Sequence, residues 1–402
     1  MHNRLNRIIN AIHRLPVILP MFSCLFCTKE KQAANQSEMD GGALIGRGTF
    51  GCVFDPPLHV ISRVDGKCTK LKVVGRTVGK ISESEEVANE IQASKALSEI
   101  PNAALYFATV DLGNINRPCA ADVQSDRASL AECPIIKKTP MSHMLHFTMP
   151  YSGIGMSKHF TIHVKDKTPL PIEKVITHLL EAAALLVLNN FVHYDLHPEN
   201  VLFDDKTKMP RIIDFGFSFS ATEIEKETLD TRWKVYSPDF PAEAPEITAI
   251  TGVRHKLSLD TVIGDIIAGK APLKTAQFIL GLPMTRQANS FRAFWKRSKS
   301  IQEADWTTFF KFYWPGFDAW CVGVIILKLY SYVSRSPAYT VAVEWKELSG
   351  RIIEVLRVLL RMNPVERRDC VEALYMFNPD SPVLASESAM KWIGDREKMR
   401  RI

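Results

Sequence analysis

The run "IGRGTFGCVF" places Gly46, Gly48 and Gly51 in the spacing G-x-G-x-x-G-x-V. Without a Cβ, these glycines let backbone N–H groups come close to phosphate oxygens, and Val53 offers an apolar cover for a base. The flanking residues read as strands. The loop therefore turns between strands, unlike the dinucleotide-binding fingerprint, in which the same glycines lead into a helix. "KCTKLKVV" follows, with two lysines able to reach a phosphate. Strand alternation favours Lys70, because Cys68 then shares its face as an apolar roof, whereas choosing Lys72 would put Lys70 in that roof. Next, "EEVANEIQASKALSEIPN" reads as a helix carrying Glu90, placed to form an ion pair that positions the lysine. Glu83, Glu85 and Glu86 read as helix-start or solvent-face acids. Further on, "VHYDLHPENVLF" and "IIDFGFSF" bring in Asp195, Asn200 and Asp214.

These residues need a scaffold. At 402 residues, 46% hydrophobic and 23% charged, the chain can bury one large core or two lobes. Residues 43–152 are strand-rich with one helical stretch. After Pro171 the pattern turns helical: "IEKVITHLLEAAALLVLNN" could be buried on most sides, and further helical patterns lie at 318–332 and 349–361. Residues 1–40 read as an extension whose "NRLNRIINAIHRL" is a basic amphipathic helix, followed by a polar linker. A leader, a helix docked on the body, targeting, or membrane-surface contact through residues 1–27 are its readings. The apolar "LPVILPMFSCLFC" is too short, and too interrupted by proline, to span a bilayer.

The eight cysteines lack zinc-site spacing and the density of a small secreted scaffold. A reducing, cytoplasmic setting is the expectation, with Cys24 and Cys27 as ordinary thiols or acylation sites. The net charge of +6 is no nucleic-acid signature, so no nucleic-acid partner is expected. Residues 247–312 alone hold ten lysines and arginines against four acids.

In chain order, the glycine loop, lysine, glutamate, Asp195 and Asn200 in H-x-D-L-x-x-x-N, and Asp214-Phe215-Gly216 resemble the eukaryotic-type protein kinase superfamily. The likeness continues through Ala244-Pro245-Glu246, through Asp318, Trp320 and Gly323 as D-x-W-x-x-G, and through Arg367, placed to pair with Glu246. It covers residues 44 to 374. The resemblance implies an α+β, two-lobed, protein-kinase-like fold: an antiparallel β-sheet lobe with one main helix and a mostly helical lobe, with ATP between them. It implies the segments 1–40 (extension and linker), 41–152 (first lobe and hinge), 153–380 (second lobe, with a basic insert at about 247–312) and 381–402 (tail).

The same resemblance implies the site. Asp195 would orient and deprotonate an acceptor hydroxyl, and Asn200 and Asp214 would hold Mg2+, with Mn2+ as the alternative ion. Nucleotide contacts fall to Ile45, Gly46, Gly48, Phe50, Gly51, Val53, Cys68, Lys70 and Leu202, with Met149 as gatekeeper and Tyr151 in a hinge from Pro150 to Gly153. The implied partners are protein substrates bearing Ser/Thr hydroxyls.

Departures from the family sharpen these expectations. Tyr194 replaces the Arg that in many kinases meets a phosphorylated activation-loop residue, so activity without that phosphorylation is expected. His197 stands where Ser/Thr kinases usually carry Lys, and its imidazole can hydrogen-bond the γ-phosphate. D-L-H-P-x-N also occurs in aminoglycoside and choline kinase relatives. A-P-E, D-x-W-x-x-G and the well-formed glycine loop speak for a protein substrate over that alternative. A pseudokinase scaffold is the other alternative, and the presence of Lys70, Glu90, Asp195, Asn200 and Asp214 speaks against it. Asp239 holds a position normally given to a hydroxyl. The 72 positions separating Glu246 from Asp318 contain the basic insert, read as a helical elaboration with a solvated basic face or as a docking surface for acidic or phosphorylated partners. With the divergent loop, this insert looks like those of protein kinases of large cytoplasmic DNA viruses, which would place the protein in host cytoplasm or virion.

Overall fold

The computed structural model describes residues 42–48, 51–73, 75–119, 124–159, 170–204 and 206–401. The expected amphipathic extension and Phe50 lie outside them. The chain divides into two compact units, one holding the described residues up to Ser152 together with Ile213–Gly216, the other Gly153–Ile212 and Phe217 onward.

The first unit is built on a five-stranded antiparallel sheet. Its strands are β1 (Ala43–Arg47), β2 (Gly51–Asp55), β5 (Thr77–Glu83), β6 (Ile115–Asn116) and β7 (Met144–Pro150), in the order β1-β2-β5-β7-β6. Two-residue strands β3 (Val60–Ile61) and β4 (Cys68–Thr69) form a separate hairpin. Central strand β5 is buried along most of its length, which suits its β-branched Val78 and Ile81. Helix α1 (Ser84–Ser98) follows directly, with Glu85 and Glu86 in its first turn favouring the positive end of the helix dipole. Short helices α2 (Ala103–Tyr106) and α3 (Gln124–Ala131) complete the unit.

One face of the sheet packs Val78, Phe147 and Met149 against Val87 of α1. The other packs Phe54, Ile81 and Met144 with Leu130 and Ile135. On that side Cys52 and Cys133, 81 positions apart, form a disulfide. The cysteine spacing in the sequence gives no sign of this pairing. The bridge exists because the segment after α3 packs beneath β2, a long-range contact that spacing motifs do not encode.

The second unit is mostly helical, as expected. Helix α4 (Ile172–Leu188) buries residues on nearly every side. Strand β8 (Ile154–Gly155) pairs with β10 (Val201–Phe203), which also pairs with β11 (Pro210–Ile212); β9 (Phe191–Val192) pairs with β12 (Phe219–Ser220). Gly153, at φ +96°, permits a close crossing, since a Cβ there would lie 1.7 Å from the Phe203 carbonyl oxygen.

Beyond α5 (Lys226–Asp230) come α6 (Pro245–Arg254), α7 (Leu259–Gly269), α8 (Ala271–Leu280), α9 (Met284–Arg297), α10 (Lys299–Gln302) and α11 (Trp306–Tyr313). Pro245 sits in the first turn of α6, where its missing N–H costs no bond. Ser258 caps α7, accepting from the Thr261 amide at 3.1 Å, and Asp305 caps α11, accepting from Thr308 at 3.0 Å. The insert carries its own apolar interior of Phe291, Phe294, Phe309 and Phe310. Lys296, Arg297 and Lys299 remain exposed.

Helix α12 (Phe317–Val333) is buried almost throughout. The continuous run Trp306–Val333 is long and apolar enough to cross a membrane, yet most of it is buried inside the protein, as in a core helix. Helices α13 (Pro337–Thr340), α14 (Trp345–Leu359), α15 (Cys370–Phe377) and α16 (Glu387–Arg401) close the unit. The expected tail docks on this unit: Trp392 Nε1 and Arg396 Nε donate to Asp369 Oδ2 at 2.9 and 3.0 Å.

Candidate active site

In the first unit the decisive group is Lys80, on β5 opposite Val53 of β2 and Phe147 of β7. Its ammonium donates to Glu90 Oε1 of α1 and, at 3.1 Å, to Asp214 Oδ1. Burial opposes the charge on Lys80, but attraction to Glu90 and then Asp214 outweighs it and holds the group above its ordinary value.

This corrects the assignment of Lys70. Lys70 and Cys68 belong to the β3–β4 hairpin region and are exposed, so Cys68 roofs nothing; its Sγ approaches the Cys119 carbonyl at 3.8 Å. Side-chain alternation holds, but the strand that faces Glu90 is β5 and not the stretch holding Lys70. The signal lay downstream in "TVGKISE", a β-branched run ending where the Glu90 helix begins. Gly51 has a packing reason as well: a Cβ would lie 2.4 Å from the Ile81 carbonyl oxygen and 3.3 Å from Lys80 Cε. The glycine loop thus needs that residue to let β5 approach.

Around Lys80 the same unit gathers other expected residues. Val53 and Tyr151 pack on the cluster containing Met149, and a Cβ at Gly46 would touch Val53 at 3.5 Å. The Gly48 amide donates to the Gly51 carbonyl at 2.8 Å, closing the turn. Ile45 is 52% exposed on β1, leaving an apolar side chain open to a ligand. Tyr151 lies under the Arg76 guanidinium, 3.5 Å from its ring centroid. Asp214 adopts φ +66°, a conformation rare outside glycine, and Phe215 is buried edge-on against Phe107 with centroids 5.8 Å apart. That burial anchors the turn presenting Asp214 to Lys80.

The second unit builds the loop holding Asp195. Buried Asp318 at the start of α12 accepts from the amides of His193 at 2.7 Å and Tyr194 at 3.0 Å. Burial pushes its carboxyl upward from the usual range. Asn200 Nδ2 donates to the Asp195 carbonyl at 2.9 Å, and the Asp195 amide donates to His193 Nδ1 at 3.3 Å. His197 Nδ1 accepts from the Glu199 amide at 3.2 Å, and its Nε2 lies 3.9 Å from Asp195 Oδ2. Leu202 sits on β10 between Gly155 and Arg211.

Farther along, Arg367 and Glu246 form the expected pair. Arg367 Nη1 and Nη2 donate to Oε1 and Oε2 at 2.7 and 2.8 Å, with both side chains fully buried. Removing one partner from such a pair costs about 3–5 kcal/mol. Gly323 permits close helix packing, because a Cβ would lie 2.9 Å from Leu359 and Leu360 atoms.

With the geometry in view, the Protein kinase domain family matches residues 40–376. The chain belongs to the protein kinase family. A 52-residue stretch, 13% of the kinase, is 52% identical to the Phosphorylase b kinase gamma catalytic chain, liver/testis isoform, of Homo sapiens, and covers 13% of that protein. A 137-residue stretch, 33% of the kinase, is 28% identical to Developmentally-regulated protein kinase 1 of Dictyostelium discoideum, covering 18% of it. The matched stretches span less than a fifth of either relative's length.

Among the described residues of the kinase, no group of three His, Cys, Asp or Glu could hold a metal alone. Asp214 in the first unit and Asn200 in the second each carry a hard oxygen donor of the kind that suits Mg2+, an ion that takes one or two protein ligands and fills its remaining positions with phosphate oxygens and water. The donor chemistry fits.

Proposed function

We propose that this kinase transfers the γ-phosphoryl group of Mg·ATP to Ser or Thr hydroxyls of protein substrates. The observation that carries this reading is Lys80 bound at once to Glu90 and Asp214, an arrangement suited to holding a phosphate chain. Gly46, Gly48 and Gly51 would bring backbone amides to the phosphates, with Ile45, Val53, Met149, Tyr151 and Leu202 offering apolar contacts to the nucleotide. Asn200 and Asp214 would hold Mg2+, or Mn2+, which neutralises developing phosphate charge. Asp195 accepts the proton of the acceptor hydroxyl. The buried Glu246–Arg367 pair and the α12 anchor of the catalytic loop support a protein acceptor.

His197 gives the small-molecule alternative its one supporting observation. The basic surface of Lys296, Arg297 and Lys299 supports docking of acidic or phosphorylated partners. The long insert and divergent loop support the finer likeness to kinases of large cytoplasmic DNA viruses.

The test incubates purified protein with labelled Mg·ATP and casein, a cell lysate, or a panel of aminoglycosides and choline, with Asp195→Ala and Asp214→Ala as controls. Label in phosphoserine or phosphothreonine, lost in both variants, is expected. Label in small hydroxyl compounds alone would move the reading to the alternative, and nucleotide binding without any transfer would make the chain a pseudokinase.

A further inference from the structure

Lys234 belongs to none of the sequence motifs, yet its Nζ lies 2.8 Å from Asp195 Oδ1 and its side chain is only 12% exposed. Nζ stands 4.9 Å from the ring centroid of Tyr194 and 5.7 Å from that of Phe217. Burial opposes its charge, but Asp195 and then Glu243 outweigh burial and hold the ammonium above its ordinary value. Lys234 is therefore a charged group set against the carboxylate that the kinase reading makes the base.

The chain around it is fixed from several directions. Arg232 Nη2 donates to the Ser218 carbonyl at 3.1 Å, and the Arg254 guanidinium lies 3.7 Å from the Trp233 ring centroid. Tyr236 Oη donates to Asp265 Oδ2 of α7 at 2.8 Å, and fully buried Lys270 donates to the Phe240 carbonyl at 2.6 Å. A Cβ at Gly269 would lie 2.9 Å from Pro238 and Asp239 backbone atoms. Several of these contacts come from the insert, so it clamps the very segment that carries Lys234.

His197, by contrast, engages Asp195 weakly. Its Nδ1 accepts from Glu199, which leaves the Nε2 proton facing Asp195 Oδ2 at 3.9 Å. The two carboxylate oxygens are thus unequal: Oδ1 is held by a cation and Oδ2 is left for another proton.

We propose that Lys234 is a positioning residue for Asp195, supplying from the activation segment the positive charge that the catalytic loop lacks at His197. This rests on the kinase reading above. In the transfer step the acceptor hydroxyl gives its proton to Asp195 Oδ2 while its oxygen bonds to the γ-phosphorus. The bond from that phosphorus to the β–γ bridging oxygen breaks, and its electron pair leaves with ADP. Lys234 on Oδ1 fixes the carboxylate plane so that Oδ2 faces the hydroxyl. A preorganised charge of this kind is commonly worth on the order of 10²-fold in kcat.

The experiment measures casein phosphorylation by the full chain with Mg·ATP. Lys234→Met should lower kcat about 10²-fold, leave KM for ATP and the affinity for a fluorescent ADP within about twofold, and keep the thermal midpoint of a folded protein. Lys234→Arg should retain most activity. Adding His197→Lys to Lys234→Met should recover roughly tenfold or more, which a merely structural lysine would not permit. Unchanged or raised kcat in Lys234→Met, or a loss rescued by neither Lys234→Arg nor His197→Lys, would overturn the proposal. Full transfer by Asp195→Asn would instead sink the role of Asp195 as base, and nucleotide binding without transfer by the wild type would sink the kinase reading itself. Independently of turnover, Asp195→Asn should speed deuterium exchange in residues 231–236; unaltered exchange there would also count against the pair.

Discussion

Lys80 Nζ lies 3.1 Å from Asp214 Oδ1 while also donating to Glu90, so one ammonium ties strand β5 to helix α1 and to the Asp-Phe-Gly turn. All three residues belong to the same compact unit. Lysine at position 80, and not at position 70, is therefore the one that phosphate chemistry would use.

Lys80→Met should lower phosphoryl transfer by about 10²-fold or more and also reduce the melting temperature, because Glu90 is left buried without its cation. Lys70→Met should leave both nearly unchanged. Steady-state rates and thermal melts of the two variants, side by side, decide the matter. Loss of transfer in Lys70→Met with retention in Lys80→Met would reverse the assignment.

Tyr194 sits where a phosphate-binding Arg is common, and the structure gives it a different task. Its ring packs against Phe219, Phe310 and Phe317 at centroid distances of 5.3, 6.0 and 6.1 Å, Phe310 coming from the insert. Its hydroxyl is buried and has no hydrogen-bond partner among the described residues. Tyr194→Phe should therefore be neutral or stabilising by about 1 kcal/mol, and phosphatase treatment of the purified kinase should not lower its activity. Phosphatase-induced loss, restored by rephosphorylating residues 217–243, is the result that would refute this account.

His146 on β7 is fully buried, and neither ring nitrogen has a hydrogen-bond partner among the described residues. Burial lowers its pKa from 6.5 to about 4. Between those values the unfolded chain binds a proton that the folded chain refuses. Stability from this group is thus complete above the unfolded value and drains away as pH falls toward the folded one, by roughly 3 kcal/mol in all. Urea titrations across that window should show a shallower pH dependence for His146→Leu than for the wild type, whatever the variant's absolute stability. Equal slopes would rule out His146 as the source.

Much of this kinase is legible in one dimension because its chemistry depends on short, local spacing. Gly46 to Gly51, Asp195 with Asn200, and Asp214 to Gly216 each occupy a few consecutive positions, and backbone geometry dictates those intervals. The Glu246–Arg367 pair could be expected too, because both partners sit in recognisable local runs. Lys80 was missed for a physical reason: two lysine-bearing stretches both read as strands, and only the register of β5 between β2 and β7 shows which one faces Glu90.

Other features had no local signal at all. The Cys52–Cys133 bridge, the ring cluster joining Tyr194 to Phe310, and the Lys234–Asp195 contact each join residues far apart in sequence. Residue types and intervals alone marked the glycine loop, Glu90, Asp195, Asn200 and Asp214 as groups for phosphoryl chemistry, since most of those motifs are set by backbone reach within one turn or loop. Tertiary packing alone decided which lysine meets Glu90 and which cation meets Asp195, because side-chain partners across long separations are selected by burial and strand register.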